Sequence, residues 1–159
     1  MAVPNQGLVQ EYEDVVDMYP DKGDTIGRIR RIVRARLRLW GLVEELDGAR
    51  LDLPVTDDVL VVVSELLTNV YRHADKRATL LMQRSGTALY VEVADGSSAL
   101  PELREPDWEE GTGRGLHVVE AVTEAYDVVR ADVGKRVCCL FEVPAPYELS
   151  PCRTLGWVS

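Results

Sequence analysis

The chain has 159 residues, 46% of them hydrophobic and 28% charged, with a formal net charge of −9. That is a soluble globular composition of about one domain, and its acidic balance argues against direct nucleic-acid binding, because phosphate contacts call for a basic field. No apolar run reaches the ~20 residues of a membrane span, and the start "MAVPNQGLVQEYEDVV" lacks the basic end and apolar core of a signal peptide, so a cytoplasmic protein with no membrane partner is expected.

In chain order, residues 1–22 show weak periodicity, enough for a short strand around 8–12 or 15–18. From residue 24 to 40 the pattern turns helical: Ile26, Ile29, Val33, Leu37 and Trp40 share one face. Asp24 or Thr25 is placed to cap this helix and Gly41 to end it. The same segment carries Arg28, Arg30, Arg31, Arg34, Arg36 and Arg38 without an acid. Arg30, Arg31, Arg34 and Arg38 lie off the apolar face. A basic face with no local acid, in an acidic chain, is expected to dock an acidic patch of a protein partner or of a second subunit in a homodimer. The plainer alternative is a solvated face.

The stretch "GLVEELDGARLDLPVT" reads as a polar connector holding a loop or a short helical turn. Thr56 is then placed to cap a second helix, with Asp57 and Asp58 in its first turn, running to about His73. "RATLLMQR" and "ALYVEVAD" flank "SGT" and read as a hairpin. The next twenty residues, "GSSALPELREPDWEEGTGRG", have no periodicity, and compact domains usually keep a loop of such length for function. A third helix starts near Gly115, with Leu116, Val119, Val122 and Tyr126 as its buried stripe. "AYDVVRA" and "KRVCCLFEV" follow as strands joined at 132–134. The predicted class is α+β, a two-layer sandwich with helices on one face of a mostly antiparallel sheet.

Three stretches carry candidate chemistry. In "SELLTNVYRHAD", residues 64–75, Glu65, Asn69 and His73 stand four apart and share one stripe of the helix. The other sides carry Val62, Val63, Leu66, Leu67 and Val70, so the helix is expected to be mostly buried. Its polar stripe then faces either a solvated margin or a ligand. In "ALYVEVADG", Leu89, Val91, Val93 and Asp95 share parity, which places a carboxylate at the end of an inward row. Unpaired there it would be costly, so it needs a donor: a backbone amide of the Asp-Gly turn, or the amino group of a purine. "GTGRG", residues 111–115, opens a helix, and glycines at a helix N-terminus let backbone amides approach phosphate. It is not a G-x-x-x-x-G-K-[ST] loop, and no strand feeds directly into it as in a dinucleotide fold. The long loop before it suggests a lid. The three cysteines form no C-x-x-C pair and offer no zinc site.

Taken together, "VVVSELLTNVYRHA", "VEVADGSSALP" and "GTGRGLHVVEAV" resemble the histidine-kinase-like (GHKL, Bergerat-fold) ATPases, and within them the freestanding bacterial anti-sigma-factor serine/threonine kinases. The resemblance implies a domain over residues 20–143, between an extension at 1–19 and a tail at 144–159. It implies ATP and Mg²⁺ as ligands, with Asn69 holding the metal and Glu65 acting as general base or orienting the attacking hydroxyl. Arg72 and His73 would line the phosphate end. Asp95 would accept from the adenine amine, with Gly96 beside the base. Gly111, Thr112, Gly113, Arg114, Gly115 and Leu116 would enclose the phosphates. Many members have D-x-G-x-G where this chain has "DGSS", and Gly-Lys-Thr where it has Gly134-Lys135-Arg136. The implied activity is that of an anti-sigma factor with Ser/Thr kinase activity toward an antagonist protein. The alternative is a non-catalytic module of the same fold that sequesters a sigma factor or another regulator.

Overall fold

The computed structural model describes residues 9–18, 23–73, 76–98 and 115–145. In chain order the elements are β1 (Gln10–Asp17), α1 (Thr25–Leu39), β2 (Val43–Leu46), β3 (Ala49–Asp52), α2 (Pro54–His73), β4 (Arg77–Ser85), β5 (Ala88–Asp95), α3 (Gly115–Val122), β6 (Ala125–Arg130) and β7 (Lys135–Glu142).

The sheet follows from alternation. Along β4, β5 and β7 every second side chain is more buried than its neighbours, so those side chains point to one face. β1 and β6 close the two edges, giving the order β1-β4-β5-β7-β6 with every neighbouring pair antiparallel. The inward row, including Val16, Leu80, Met82, Leu89, Val91, Val93, Val137, Cys139 and Phe141, meets the apolar sides of the helices. These are Ile29, Val33 and Leu37 of α1, Val59, Leu60, Val63, Leu66, Leu67 and Val70 of α2, and Val119 of α3. Full burial of one such side chain is worth about 1.5–3 kcal/mol, so this single core fixes which face of each helix is hidden. The result is the α+β two-layer sandwich that the sequence predicts.

α1 is bounded as its sequence suggests. Asp24 caps it by accepting from the Gly27 amide at 2.8 Å. At the other end the Gly41 amide donates to the Arg38 carbonyl and the Leu42 amide to the Leu37 carbonyl, both at 3.0 Å, the pairing of a Schellman motif.

Several expectations change. Tyr126, expected on the buried stripe of the third helix, lies in β6, because α3 ends at Val122. The short strand expected at 8–12 or 15–18 is one strand, β1, that reaches into both segments. The connector at 41–56 is not a loop or helical turn but a hairpin, β2 on β3, closed at Asp47 and Gly48 with φ of 50° and 79°. Asp-Gly is the pair that such a turn favours. Most of the hairpin's residues are exposed, so it leaves no alternating burial in the sequence. Thr56 does not cap α2: the helix begins at Pro54, where a proline without an amide hydrogen fits well. Thr56 is instead buried inside the first turn, and its hydroxyl has no partner among the described residues. The arginine face of α1 does have local acids, because the hairpin brings Asp52 to it. Arg38 Nε lies 2.6 Å and Arg34 Nε 3.2 Å from the Asp52 carboxylate, and Arg34 also reaches Asp57 at 3.9 Å. Arg30 donates to Ser64 Oγ of α2 at 2.7 Å, and Arg36 stacks over the Tyr12 ring of β1 at 4.8 Å. Arg28 and Arg31 remain exposed.

Arg84 is a buried cation on the inward row of β4. It donates to the carbonyls of Trp40 and Pro144, tying the end of α1 to the end of β7. Burial pushes its guanidinium below its usual pKa.

Candidate functional site

α2 carries Glu65 and Asn69 half-buried on the side facing α3, held there by Leu66, Leu67 and Val70 beneath them. Two other half-buried polar groups of the helix, Ser64 and Thr68, are satisfied internally. Ser64 Oγ donates to the Leu60 carbonyl at 2.6 Å and Thr68 Oγ1 to the Ser64 carbonyl at 2.8 Å. Glu65 and Asn69 make no side-chain hydrogen bond or ion pair among the described residues. Directly over them sits Gly115, the first residue of α3. A Cβ built there would lie 3.1 Å from Asn69 Nδ2, 3.2 Å from Glu65 Oε2 and 3.5 Å from Asn69 Oδ1. The start of α3, with its positive dipole end, therefore lies against an acid and an amide.

A second polar group closes the neighbouring end of the sheet. Asp95, last in the inward row of β5, accepts the Ser97 amide at 2.8 Å and Lys135 Nζ at 3.1 Å, both through Oδ1. The Asp95 side chain is 5% exposed and that of Lys135 10%. The backbone-amide reading of Asp95 is thus realised, and a lysine joins it. Asp95 and Lys135 stand opposite each other in the β5–β7 register, both inward, whereas Arg136 points to the other face beside Glu92, 3.9 Å away. Gly134 packs on the backbone of Asp95 and Gly96 so closely that a Cβ would lie 1.8 Å from the Asp95 carbonyl oxygen, and its φ is +80°. Only glycine allows both.

The structure therefore brings Glu65, Asn69 and Gly115 together and puts Asp95 and Gly96 at the end of β5. Arg72 and His73 are exposed in the last turn of α2, and Leu116 is buried. Gly111, Thr112, Gly113 and Arg114 lie outside the described residues, as does most of the loop expected to be a lid. A hollow of about 410 Å³, lined by Val15, Arg77, Thr79, Ala94 and Val133, touches Asp95 and Gly96. Val15, Thr79 and Ala94 lie on the outward parity of the sheet, so it opens opposite Glu65 and Asn69 and is not this site.

Sequence reasoning overlooked Lys135. The signal was available: Lys135, Val137, Cys139 and Phe141 share parity, so a charged residue begins an inward row just as Asp95 ends one.

The residues fit a nucleotide with a hydrated metal ion. No cluster of three His, Cys, Asp or Glu that could hold a metal occurs among the described residues, but Mg²⁺ needs few protein ligands when phosphates and water supply the rest. The start of α3 lies close to an amide, Asn69, and an acid, Glu65, that lack side-chain partners among the described residues.

Comparison with solved structures finds the RsbU and RsbW domains of Rv1364c from Mycobacterium tuberculosis at a TM-score of 0.59 and 14% identity, over 86% of this chain and 33% of that one. This chain thus spans a third of that neighbour, and the likeness is one of fold. It also finds the histidine kinase domain of the EL346 blue-light activated histidine kinase from Erythrobacter litoralis, at a TM-score of 0.48 and 24% identity over 76% and 60% of the two chains. A comparison with proteins of curated function finds no match. The family described as Histidine kinase-like ATPase domain matches residues 20–140. With β1 added at the sheet edge and Gly115 set over Glu65 and Asn69, the chain belongs to the histidine kinase-like ATPase domain family.

Proposed function

We propose that the protein binds ATP with Mg²⁺ between α2 and the start of α3, and works as a regulator: an anti-sigma factor that phosphorylates a serine or threonine of an antagonist protein. The observation that supports the nucleotide reading is that the start of α3 lies close to Asn69 and Glu65, two half-buried polar side chains with no side-chain partner among the described residues. The regulatory reading rests on the resemblance of the three motifs.

In this reading the Asn69 side-chain oxygen holds the metal, whose charge offsets that of the phosphates. Backbone amides at the start of α3 take a phosphate oxygen, and Arg72 and His73 line the phosphate end. Glu65, one turn before Asn69, accepts the proton of the attacking hydroxyl. Asp95 lies at the floor, where the base would sit beside Gly96. Gly111, Thr112, Gly113, Arg114 and Leu116 complete the phosphate enclosure. The supporting architecture is a rigid helix and two adjacent strands, and phosphoryl transfer asks mainly for positioning and charge stabilisation.

A second reading is favoured by Lys135. Its ammonium already takes the carboxylate oxygen that also accepts the Ser97 amide, and weak nucleotide binding would leave a module that acts by sequestering a sigma factor alone. Calorimetry with ATP, in Mg²⁺ and in chelator, tests the first step: binding that needs Mg²⁺ supports the proposal, and no binding in either removes it. Radiolabel transfer from ATP to an antagonist protein then separates kinase from sequestering module.

A further inference from the structure

The Asp95–Lys135 pair changes what the floor of the site offers a base. A lone carboxylate offers only acceptors. It pairs with the 6-amino group of adenine and repels the 6-oxo group of guanine or hypoxanthine, since two buried acceptors facing each other are both left without a donor. Here Asp95 does not stand alone. Lys135 Nζ is 3.1 Å from Oδ1, and the side chains are 5% and 10% exposed. Oδ1 takes both donors, Lys135 Nζ and the Ser97 amide, while Oδ2 has no partner among the described residues. An ammonium has three hydrogens and this contact occupies one of them. An acceptor, Oδ2, and a donor, Nζ, therefore stand side by side.

The two groups match either kind of purine edge. Adenine presents an amine donor next to the N1 acceptor, so the amine gives to Oδ2 and N1 takes from Nζ. A 6-oxopurine presents an O6 acceptor next to the N1–H donor, so O6 takes from Nζ and N1–H gives to Oδ2. On the strength of the nucleotide reading above, we propose that Asp95 and Lys135 act as one purine-reading pair, which admits 6-oxopurine nucleotides alongside ATP. Lys135 is then the donor that both kinds of purine edge use. Its place is fixed by the backbone: Gly134, packed on Asp95 and Gly96, sets the start of β7, and the β5–β7 register puts Lys135 opposite Asp95.

The test is calorimetry on the full chain with Mg²⁺ and four ligands: ATP, GTP, inosine triphosphate and inorganic triphosphate. The expected result is GTP and inosine triphosphate within about tenfold of ATP, and all three tighter than inorganic triphosphate. In Lys135→Met all three nucleotides should fall by about tenfold toward inorganic triphosphate, because Nζ gives to N1 of adenine and to O6 of a 6-oxopurine alike. A wild-type preference for ATP beyond about tenfold would overturn the proposal, as would unchanged nucleotide affinity in a folded Lys135→Met protein. Removing the lysine leaves a buried carboxylate without its countercharge, and if that variant does not fold, the wild-type series alone decides. Nucleotides that bind no better than inorganic triphosphate overturn the base-reading pair and leave the phosphate site standing. Binding of none of the four removes the nucleotide reading and this proposal with it.

Discussion

α1 and α2 pack side by side, and each carries polar residues on a helix whose apolar side builds the core. In sequence the arginines of α1 look the more available, six cations with no acid among them, while Glu65 and Asn69 look like a margin on a buried helix. The fold reverses that order. Asp52 comes to Arg34 and Arg38 from the hairpin, Ser64 to Arg30 from α2, and Tyr12 to Arg36 from β1. What comes to Glu65 and Asn69 is Gly115, a residue with no side chain to offer. A polar stripe is structural when the fold delivers its complement, and a candidate for a ligand when the fold delivers only backbone.

The strongest way to break this contrast is at α2. Asn69→Ala should abolish Mg²⁺-dependent ATP binding, a loss of about a hundredfold or more if the metal contact is as strong as other charge-assisted ones. Glu65→Ala should bind ATP nearly as tightly and lose phosphate transfer by about 10²-fold or more, since a proton acceptor acts mainly in the transition state. Both variants should unfold close to the wild-type temperature, because the helix is anchored by Val62, Val63, Leu66, Leu67 and Val70. Calorimetry and radiolabel transfer on the same preparations check both. Equal transfer by Glu65→Ala would return the acid to ordinary helix solvation.

A smaller change probes the space itself. Gly115→Val would place a Cβ at 3.1–3.2 Å from Asn69 and Glu65, and its methyls would crowd the place proposed for the phosphates. ATP affinity should fall by about tenfold, while melting shifts little, because a helix start tolerates valine. Unchanged affinity would mean that the ligand does not pass between Gly115 and Asn69.

How much of this was legible before the structure depends on distance along the chain. The helical stripe of Glu65 and Asn69, the parity of Asp95 and the Asp24 cap are local patterns, and they stand in the structure as the sequence predicts. The pairing of Arg34 and Arg38 with Asp52 spans a hairpin that had no alternating burial to announce it. Lys135 reaches Asp95 across forty residues, and only the strand register puts them together. Thr56 misled because a threonine before two aspartates mimics a cap, while Pro54 two residues earlier had already opened the helix.

On the α1 side the effects are in stability, and alkali gives one readout. Burial pushes the Tyr12 phenol up to about 12, helped by its hydrogen bond to Asp14 at 3.0 Å and opposed by Arg36 and Arg28. The folded state therefore keeps a proton that the unfolded chain releases near 10. The stability contributed is complete below pH 10 and is lost as pH rises from there to about 12. Burial raises Tyr90 and Cys139 as well, so they add to the same fall. Tyr12→Phe should make the decline in melting temperature above pH 10 shallower without abolishing it. A slope identical to wild type would show that the ring beneath Arg36 ionises as freely folded as unfolded.

The smallest effect should come from Asp52→Asn, and its sign carries the comparison. Asp52 is mostly buried against the exposed ends of Arg34 and Arg38. Ion pairs with exposed partners contribute little, because side-chain ordering and screening offset the attraction. The variant should therefore melt only slightly below wild type at low salt, and the gap should narrow as salt shortens the screening length to a few ångströms. What changes more is the surface. With that countercharge gone, α1 presents Arg31, Arg34 and Arg38 of the basic face that the sequence suggested, beside Arg28, with only Asp57 left near Arg34. If acidic partners are attracted to that face, association measured at low salt should be tighter for Asp52→Asn than for wild type. If association is unchanged at every salt concentration, the arginines of α1 serve the fold, and the contrast with α2 is complete.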